Sequence, residues 1–357
     1  MVSIEYLAGF LDGEGSLSLA RIHRRHRSTE YTVRVAVYNS DWAILEGVQR
    51  TWGGVLARGS LRDLTWKPVH ALIWTNAAAA RLLPKVAPHL RVKSRHAAPL
   101  LEFDEHVREC RRVRDSGGRL WPFSGRVEGI RQAFHKRLKQ LRTKGRGIAI
   151  PPSHAGGEPW AGKERDVSAR YLAGFIDAEG CLMIAKSKDR DHRRPQYRAR
   201  VCVGNTDRAV LGNVRRAFGG ILTNQPALKT GWKHAYQVVW SDGMIEQLLS
   251  SVLPHLRIKR GQATLPLDFV RHKRSVRQGR NGRYFAPLPD DVVAFREGLH
   301  GQIKELNAKG ASPTSGPKAR ERRALPESPP TSLGRRKAVC AGTSGRVATE
   351  RDDGFCA

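Results

Sequence analysis

The chain has 357 residues and is strongly basic, with 63 lysines and arginines against 33 aspartates and glutamates and a net charge of +30. Residues 311–357 hold 9 of the basic and 5 of the acidic residues, so residues 1–310 carry a net charge of +26. This charge favours a polyanionic partner. The length is typical of two domains, and without an apolar run long enough to cross a bilayer we expect no membrane contact.

The first predicted element is a short helix within Tyr6–Gly15, whose sequence is YLAGFLDGEG. Its apolar residues surround the small pair Ala8 and Gly9. A glycine inside a helix costs about 1 kcal/mol relative to alanine, so it usually has a packing reason. We therefore expect another helix to approach closely at this point.

Residues alternating between apolar and polar then predict two hairpins separated by a helix. The first hairpin joins residues 17–22 to residues 32–38, and a helix at about 41–51 ends at a pair of glycines. The second hairpin joins residues 55–60 to residues 66–74. Further helices are expected at 77–86, from 93 to about 112, and near 127–144.

A second unit repeats the first at an offset of 165 or 166 residues, starting from Tyr171–Gly180, YLAGFIDAEG. We predict an N-terminal unit at 1–144, a linker at 145–166, a C-terminal unit at 167–310 and a disordered tail at 311–357. Each unit follows the order αββαββα(α). Four antiparallel strands with helices on one face make an α+β unit, and two such sheets joined through the repeated helices would form a saddle.

The two repeated helices are predicted to pack against each other through their small residues. Glu14 and Glu179 would then meet at the C-terminal helix ends, where each faces a negative dipole end and another negative charge. A cation stabilises this arrangement, and a hard divalent metal with oxygen ligands is the natural occupant. We interpret Asp12 and Asp177 as structural residues at the helix ends.

These segments carry a family resemblance. Leu7–Gly15 and Leu172–Gly180 resemble the two motifs of a single-chain LAGLIDADG homing endonuclease. The resemblance implies two pseudo-symmetric units that form a DNA-binding saddle, and a monomeric, intron-encoded enzyme. It also implies a double-strand break by metal-dependent phosphodiester hydrolysis at a specific site. Mg2+ is the expected cofactor, with Mn2+, or Ca2+ in a non-cleaving complex, as other occupants.

The same resemblance assigns the metal ligands. Glu14 and Glu179 occupy the position of the family's metal-binding acid, which is usually aspartate. The backbone carbonyl of the preceding residue also contacts metal in the family, and here the preceding residues are Gly13 and Ala178. A site with two carboxylates completed by water and phosphate suits Mg2+.

Four further residues are candidates for the catalytic pocket. Lys93 and Lys259 follow matching Pro-His-Leu-Arg segments and resemble the basic residue that the family keeps near the scissile phosphates. They would stabilise developing negative charge or hold a water network, although phosphate-clamping surface lysines are the alternative. Asn39 and Asn205 resemble the family's solvent-positioning polar residue, but asparagine at a strand end is also an ordinary turn residue.

Outward-facing strand residues are expected to contact DNA, because a two-stranded ribbon fits the major groove. In the first half these residues are Ser18, Ala20, Ile22, Thr32, Arg34, Ala36, Leu56, Arg58, Ser60 and His70. In the second half they are Met183, Ser187, Arg198, Arg200, Leu222, Asn224, His234 and Tyr236. Because the two sets differ, we expect a long, non-palindromic DNA target.

Two other functions remain open on the sequence alone. One is a maturase-type protein that binds intron RNA, and the other is a DNA-binding protein of the same fold that does not cleave. Retention of both acids and both lysines favours the nuclease. The sequence enters its first motif almost at once, so we expect no secretion signal. We expect the protein in the cytoplasm, associated with the nucleoid, or in the organelle that encodes it.

Overall fold

The structure is a computed structural model that describes residues 1–23, 29–59, 68–110, 123–141, 167–187, 195–225, 234–276 and 288–308, and the backbone of 280–281 and 284–285. All of these residues lie within one unit, Met1–Ala311. The predicted linker and the predicted disordered tail lie outside the described residues. Among the helices that are described, none is long and apolar enough to cross a membrane.

The first half contains five helices and four strands in the described ranges. In chain order these are α1 (Ile4–Glu14), β1 (Gly15–Ile22), β2 (Glu30–Asn39), α2 (Trp42–Trp52), β3 (Val55–Ala57), β4 (His70–Thr75), α3 (Asn76–Val86), α4 (Ser94–Glu109) and α5 (Gly125–Leu141). A short 3-10 turn at Ala87–His89 separates α3 from α4. The predicted order of elements is confirmed.

The second half repeats this order and adds one small hairpin that periodicity did not predict. Its elements are α6 (Ala169–Glu179), β5 (Gly180–Ser187), β6 (Gln196–Asn205), α7 (Arg208–Phe218), β7 (Ile221–Gln225), β8 (Ala235–Ser241), α8 (Gly243–Val252), α9 (Arg260–Ser275), β9 (Arg280–Asn281), β10 (Tyr284–Phe285) and α10 (Asp290–Asn307). The extra hairpin, β9 and β10, precedes the last helix.

Each half contains a four-stranded antiparallel sheet, ordered β1-β2-β4-β3 in the first half and β5-β6-β8-β7 in the second. One face of each sheet packs against helices. In the first sheet Leu17 lies opposite Val35, and both are buried. In the second sheet Leu182 and Val201 make the equivalent pair. The α+β architecture with two repeated units is therefore confirmed.

Local sequence explains how the helices are placed on these sheets. The Asp41 carboxylate accepts hydrogen bonds from the backbone N–H groups of Ala43 and Ile44, at 2.9 and 3.3 Å, and thereby caps α2. Asp207 caps α7 in the same way. An aspartate at the N-cap stabilises a helix because it satisfies N–H groups that have no partner within the helix. Both strand-to-helix junctions are thus specified locally.

The repeated helices α1 and α6 pack together through their glycines. A β-carbon on Gly9 would lie 2.0 Å from the carbonyl oxygen of Tyr171, and one on Gly174 would lie 2.1 Å from the carbonyl oxygen of Tyr6. Neither glycine could carry a β-carbon unless the backbone of the opposite helix moved away. The packing reason that the sequence suggested for these glycines is the direct contact of two helix backbones.

Candidate active site and nucleic-acid interface

The helix pair brings the two predicted acids to adjoining helix ends. Helix α1 ends at Glu14 and helix α6 ends at Glu179, and both residues are exposed to solvent. A β-carbon on Gly13 would lie 2.3 Å from the Ala178 β-carbon and 3.0 Å from the Glu179 Cγ. The close contact of Gly13 with Ala178 therefore sets how near the two carboxylates can come.

The two carboxylates influence each other electrostatically. Glu14 keeps contact with solvent, but the surrounding protein removes much of the water near its carboxyl group. This burial, and then the negative charge of Glu179, raise the pKa of Glu14, while Lys259 and Lys93 oppose the increase. A carboxylate whose charge is costly gains from a cation bound close to it.

The two predicted lysines provide positive charge at the same helix ends. The Lys93 Nζ donates hydrogen bonds to the carbonyl oxygens of Leu11 at 2.8 Å and Gly13 at 3.2 Å, and also to that of Asp12. The Lys259 Nζ donates to the carbonyl oxygens of Ile176 at 3.0 Å and Gly180 at 2.7 Å. Each ammonium group thus neutralises the negative end of a helix dipole.

Burial lowers the pKa of both lysines, and the neighbouring acids oppose that change. Asp12, Glu179 and Glu14 stabilise the charged form of Lys93. Asp177 and both glutamates do the same for Lys259. The structure therefore brings four predicted site residues, two acids and two lysines, within electrostatic reach of one another.

The predicted asparagines have a different position. The Asn39 side-chain oxygen accepts a hydrogen bond from the backbone N–H of Asp41 at 2.8 Å, and the Asn205 oxygen accepts one from Asp207 at 2.9 Å. Each asparagine thus forms a turn that leads from a strand into a capped helix. The structure places these amide oxygens in turns, which matches the alternative that the sequence left open.

The site suits a hard divalent cation by the chemistry of its donors. Neither Glu14 nor Glu179 accepts a hydrogen bond from any residue that the structure describes, so their oxygens remain available as ligands. Within the described ranges no group of three or more His, Cys, Asp or Glu residues is arranged to hold a metal. A metal here would thus have two carboxylates, with water, phosphate or backbone oxygens completing its shell. Of the predicted carbonyl ligands, Gly13 already accepts from Lys93.

Comparison with known proteins identifies the fold. No family model and no curated protein matches the chain. Among solved structures, the I-LtrWI LAGLIDADG homing endonuclease bound to target DNA matches with a TM-score of 0.59 at 12% identity, over 85% of this chain and 96% of that one. The LAGLIDADG homing endonuclease I-GzeII, in complex with its DNA target, gives 0.59 at 11% identity, over 86% of this chain and 99% of that one.

The chain has the fold of the LAGLIDADG homing endonucleases. A third protein, I-SmaMI bound to uncleaved DNA target in the presence of calcium ions, matches with a TM-score of 0.57 at 12% identity, over 85% of this chain and 99% of that one. The resemblance read from the two motifs is confirmed at the level of the fold.

The predicted contact residues of the first hairpins lie on the sheet face opposite the buried leucines, and this face is called the open face. Ser18 pairs with Arg34, and Met183 pairs with Arg200, on the side opposite the buried leucines. The residues placed on this open face are Ser18, Ala20, Ile22, Thr32, Arg34, Ala36, Met183, Ser187, Arg198 and Arg200. Ala36 is itself fully buried, so its side chain is not available to contact DNA, which corrects that prediction.

The predicted residues of the second hairpins lie on the other face, which corrects that expectation. Leu56 pairs with the buried Leu72, and Leu222 pairs with the buried Val238. Asn224 pairs with Tyr236. Tyr236 lies two residues before Val238, and therefore on the same side of the strand. His234 is exposed just before β8, in the same alternation, and Ser60 lies outside the described residues.

His70 and Arg58 also lie on the helix-packed side, where they contact helix α2. The His70 ring packs edge-on against the Trp42 ring, with centroids 5.1 Å apart, and its Nδ1 accepts from the backbone N–H of Gly59 at 3.3 Å. The Arg58 guanidinium lies 5.3 Å from the centroid of the same Trp42 ring. Both side chains therefore belong to the helix-packed side of the sheet.

Other residues of the second hairpins occupy the open face and were missed. Ala36 pairs with Ile73, and Arg34 pairs with Thr75. In the second half the Arg200 guanidinium donates to the side-chain oxygen of Gln237 at 2.9 Å. The buried tryptophans, Trp74 and Trp240, were the signal that could have found them, because strand neighbours of a buried residue point to the opposite face.

Proposed function

We propose that this protein is a site-specific homing endonuclease that makes a metal-dependent double-strand break in a long, non-palindromic DNA target. The observation that carries the proposal is the pair of exposed carboxylates, Glu14 and Glu179, at adjoining ends of two closely packed helices. One acid and one lysine from each half give two similar reaction centres, one for each DNA strand. A single chain supplies both, so we propose that it acts as a monomer.

The open sheet faces support DNA as the substrate. They carry arginines on both halves, and the net charge of the folded part is strongly positive. The two faces differ in residue type, for example Ser18 and Arg34 against Met183 and Arg200. Different side chains read different base edges, which favours an asymmetric target.

The chemistry would be divided between a cation and the chain's own residues. Glu14 and Glu179 would hold Mg2+, which supplies charge neutralisation on the phosphate and a reactive water when it is bound. Lys93 and Lys259 fix the carbonyl ends of the two helices and keep positive charge beside the acids. The sheets hold the duplex so that its phosphates lie over the acid pair.

The two alternatives predict different behaviour from the same site. A DNA-binding protein that does not cleave would have no use for two exposed carboxylates that repel each other. A maturase-type protein would bind intron RNA through its basic surface and would tolerate loss of both acids. Cleavage of duplex DNA that depends on these acids separates the nuclease from both alternatives.

Substitution of an open-face arginine is expected to weaken DNA binding. Arg34→Ala should raise the dissociation constant about 3- to 10-fold and reduce the slope of log Kd against log salt by about one, because one phosphate or base contact is lost. Fluorescence anisotropy at several salt concentrations measures both quantities. Arg58→Ala is the matched control, since Arg58 packs against Trp42, and it should change the affinity less than about twofold. Equal effects of the two substitutions would count against DNA on the open face.

Glu14→Gln is expected to stabilise the metal-free protein at neutral and alkaline pH. The folded-state pKa of Glu14 is raised above its usual value, so ionisation opposes folding, and stability is lost as the pH rises through that pKa. The melting temperature of the variant should exceed that of the wild type in chelator at about pH 8, and the gap should narrow at about pH 5. Added Ca2+ should also narrow it, because metal binds the wild-type acid pair. A gap that is independent of both pH and Ca2+ would argue against charge repulsion at this site.

A further inference from the structure

The two repeated helices exchange buried hydrogen bonds that the proposed chemistry does not use. The Tyr171 hydroxyl donates to the Asp12 carboxylate at 2.8 Å, and the Tyr6 hydroxyl donates to the Asp177 carboxylate at 2.7 Å. All four side chains are at most 2% exposed. Each aspartate is thus bound by a tyrosine of the opposite half.

The same aspartates hold the loops that carry the lysines. Asp12 accepts hydrogen bonds from the backbone N–H groups of Arg91 at 2.6 Å, Val92 at 3.1 Å and Lys93 at 2.8 Å. In the second half Asp177 accepts from the backbone of Arg257, Ile258 and Lys259, at 2.7, 3.2 and 2.8 Å. A carboxylate that binds three successive N–H groups fixes the direction of the loop and hence the position of the lysine.

A continuous set of contacts therefore runs from each half into the site of the other. Tyr171 of the second half binds Asp12, Asp12 binds the backbone of Lys93, and the Lys93 ammonium binds the end of helix α1, next to Glu14. The reciprocal set starts from Tyr6 in the first half and ends at Lys259 beside Glu179. Each half reaches the site of the other because the two repeated helices are in direct contact.

The tyrosines are held in the donor state. Burial and then the charge of the bound aspartate raise the pKa of both hydroxyls. Arginines of the lysine loops also face the rings: the Arg91 guanidinium lies 5.9 Å from the Tyr171 ring centroid, and that of Arg257 lies 5.5 Å from the Tyr6 centroid. Each tyrosine thus contacts both the aspartate and the loop of the opposite half.

We propose that Tyr6 and Tyr171, with Asp177 and Asp12, are positioning residues that each set the lysine of the opposite half, so that the two reaction centres are assembled only when the halves are packed together. A purely structural role for these side chains would place the same groups in the core but would affect both lysines equally. The crossed pattern is specific to the proposal. The expected effect of these residues on cleavage rests on the proposed function, whereas their expected effect on the lysines does not.

Lysine reactivity in the metal-free protein tests the crossing without reference to cleavage. The variants Tyr171→Phe and Tyr6→Phe each remove one hydroxyl, retain the ring and serve as controls for each other. Mass spectrometry after limited labelling with an amine-reactive reagent gives the rate at Lys93 and at Lys259. Tyr171→Phe should raise the Lys93 rate about threefold or more and leave Lys259 within about 1.5-fold, and Tyr6→Phe should do the reverse. Equal changes at both lysines, or no change at either, would overturn the proposal.

Hydrogen exchange provides a second readout on the same variants. It remains informative for a variant that is less stable than the wild type. In Tyr171→Phe, exchange at the amides of residues 91–93 should accelerate relative to residues 257–259, and Tyr6→Phe should invert this ratio. The ratio is internal to each protein, so a general loss of stability changes both loops together. A ratio that stays at the wild-type value in both variants would contradict the crossed contacts.

A double-mutant cycle connects the tyrosine with its aspartate. Asp12→Asn combined with Tyr171→Phe should be non-additive in Lys93 labelling, because both remove the same contact, while Asp12→Asn with Tyr6→Phe should be additive. In cleavage assays Tyr171→Phe and Asp12→Asn should slow the same DNA strand by about tenfold, and Tyr6→Phe and Asp177→Asn should slow the other strand. Crossed labelling together with no cleavage by the wild type would retain this inference and reject the nuclease. Cleavage by the wild type, with both strands slowed equally in the variants, would retain the nuclease and reject this inference.

Discussion

Glu14→Gln and Glu179→Gln are each expected to lower DNA cleavage by about 10³-fold or more on at least one strand. A bound metal ion contributes several kcal/mol of charge stabilisation, and glutamine keeps the size of glutamate but not its charge. Binding should change little, because the two carboxylates form only a small part of a large basic interface. Single-turnover cleavage of a duplex labelled on both strands measures the first quantity, and anisotropy in Ca2+ measures the second.

Glu46→Gln provides the matched control for these variants. Glu46 is an exposed acid on helix α2, which lies on the helix-packed side of the first sheet, so its neutralisation should leave both strands cleaved at the wild-type rate. Loss of binding as large as the loss of cleavage in Glu14→Gln would indicate that the acid acts in recognition rather than in the reaction.

Gly9→Ala is expected to destabilise the folded protein by about 3 kcal/mol or more. The new β-carbon would meet the Tyr171 carbonyl oxygen at 2.0 Å and the Phe175 nitrogen at 2.9 Å. Both are backbone atoms of a buried helix and cannot move aside as a flexible side chain could, so the two helices must separate. Equilibrium unfolding in urea measures the change, and Gly174→Ala should give a similar value because its environment is equivalent.

Gly47→Ala tests whether the loss comes from the helix contact rather than from alanine itself. Gly47 lies within α2, and a β-carbon there would meet no atom within 4 Å. Alanine restricts the unfolded chain and favours helix, so this variant should gain about 0.5–1 kcal/mol. If Gly9→Ala were as stable as Gly47→Ala, the two helix backbones could not be in direct contact.

The sequence predicted the helix pair and the acid pair because the signals for them were redundant. The two copies of the motif share a small pair, an acid and a terminal glycine, and only close packing of α1 against α6 accounts for all of them. The residues of the first hairpins were also assigned to the correct face, although Ala36 on that face is buried. Leu17 and Leu19 alternate with polar residues, so burial on one side fixed the identity of the other side.

The second hairpins show where periodicity was insufficient. Strand β3 has three residues, which is too short for an alternation to define a face. Leu56 and Leu222 were assigned to the open face although their partners, Leu72 and Val238, are in the core. A shift of one residue in the alternation exchanges the two faces of a strand, and Trp74 and Trp240 were the large apolar residues that marked the buried face.

The roles of Asp12 and of the lysines depend on contacts between distant segments, which no local pattern encodes. A structural function for Asp12 was predicted from its position in the motif. Its hydrogen-bond partners are distant in the chain: the Lys93 backbone is 81 residues away, and Tyr171 is 159 residues away. The position of the lysines beside the scissile phosphates stays a prediction, and the contacts of their ammonium groups with the carbonyl ends of α1 and α6 were not predicted. The tyrosines carry an apolar ring that made them appear to be ordinary core residues.

The decisive measurement is selection of cleaved duplexes from a randomised DNA library, performed with Mg2+ and in parallel with chelator. We expect one asymmetric sequence to be enriched, cut on both strands with Mg2+ and uncut with chelator, and we expect the Glu14→Gln protein to enrich no fully cut duplex. Enrichment of bound but uncut DNA by the wild-type protein, under conditions in which a known LAGLIDADG nuclease cleaves its own target, would contradict the nuclease and favour a binding protein of this fold.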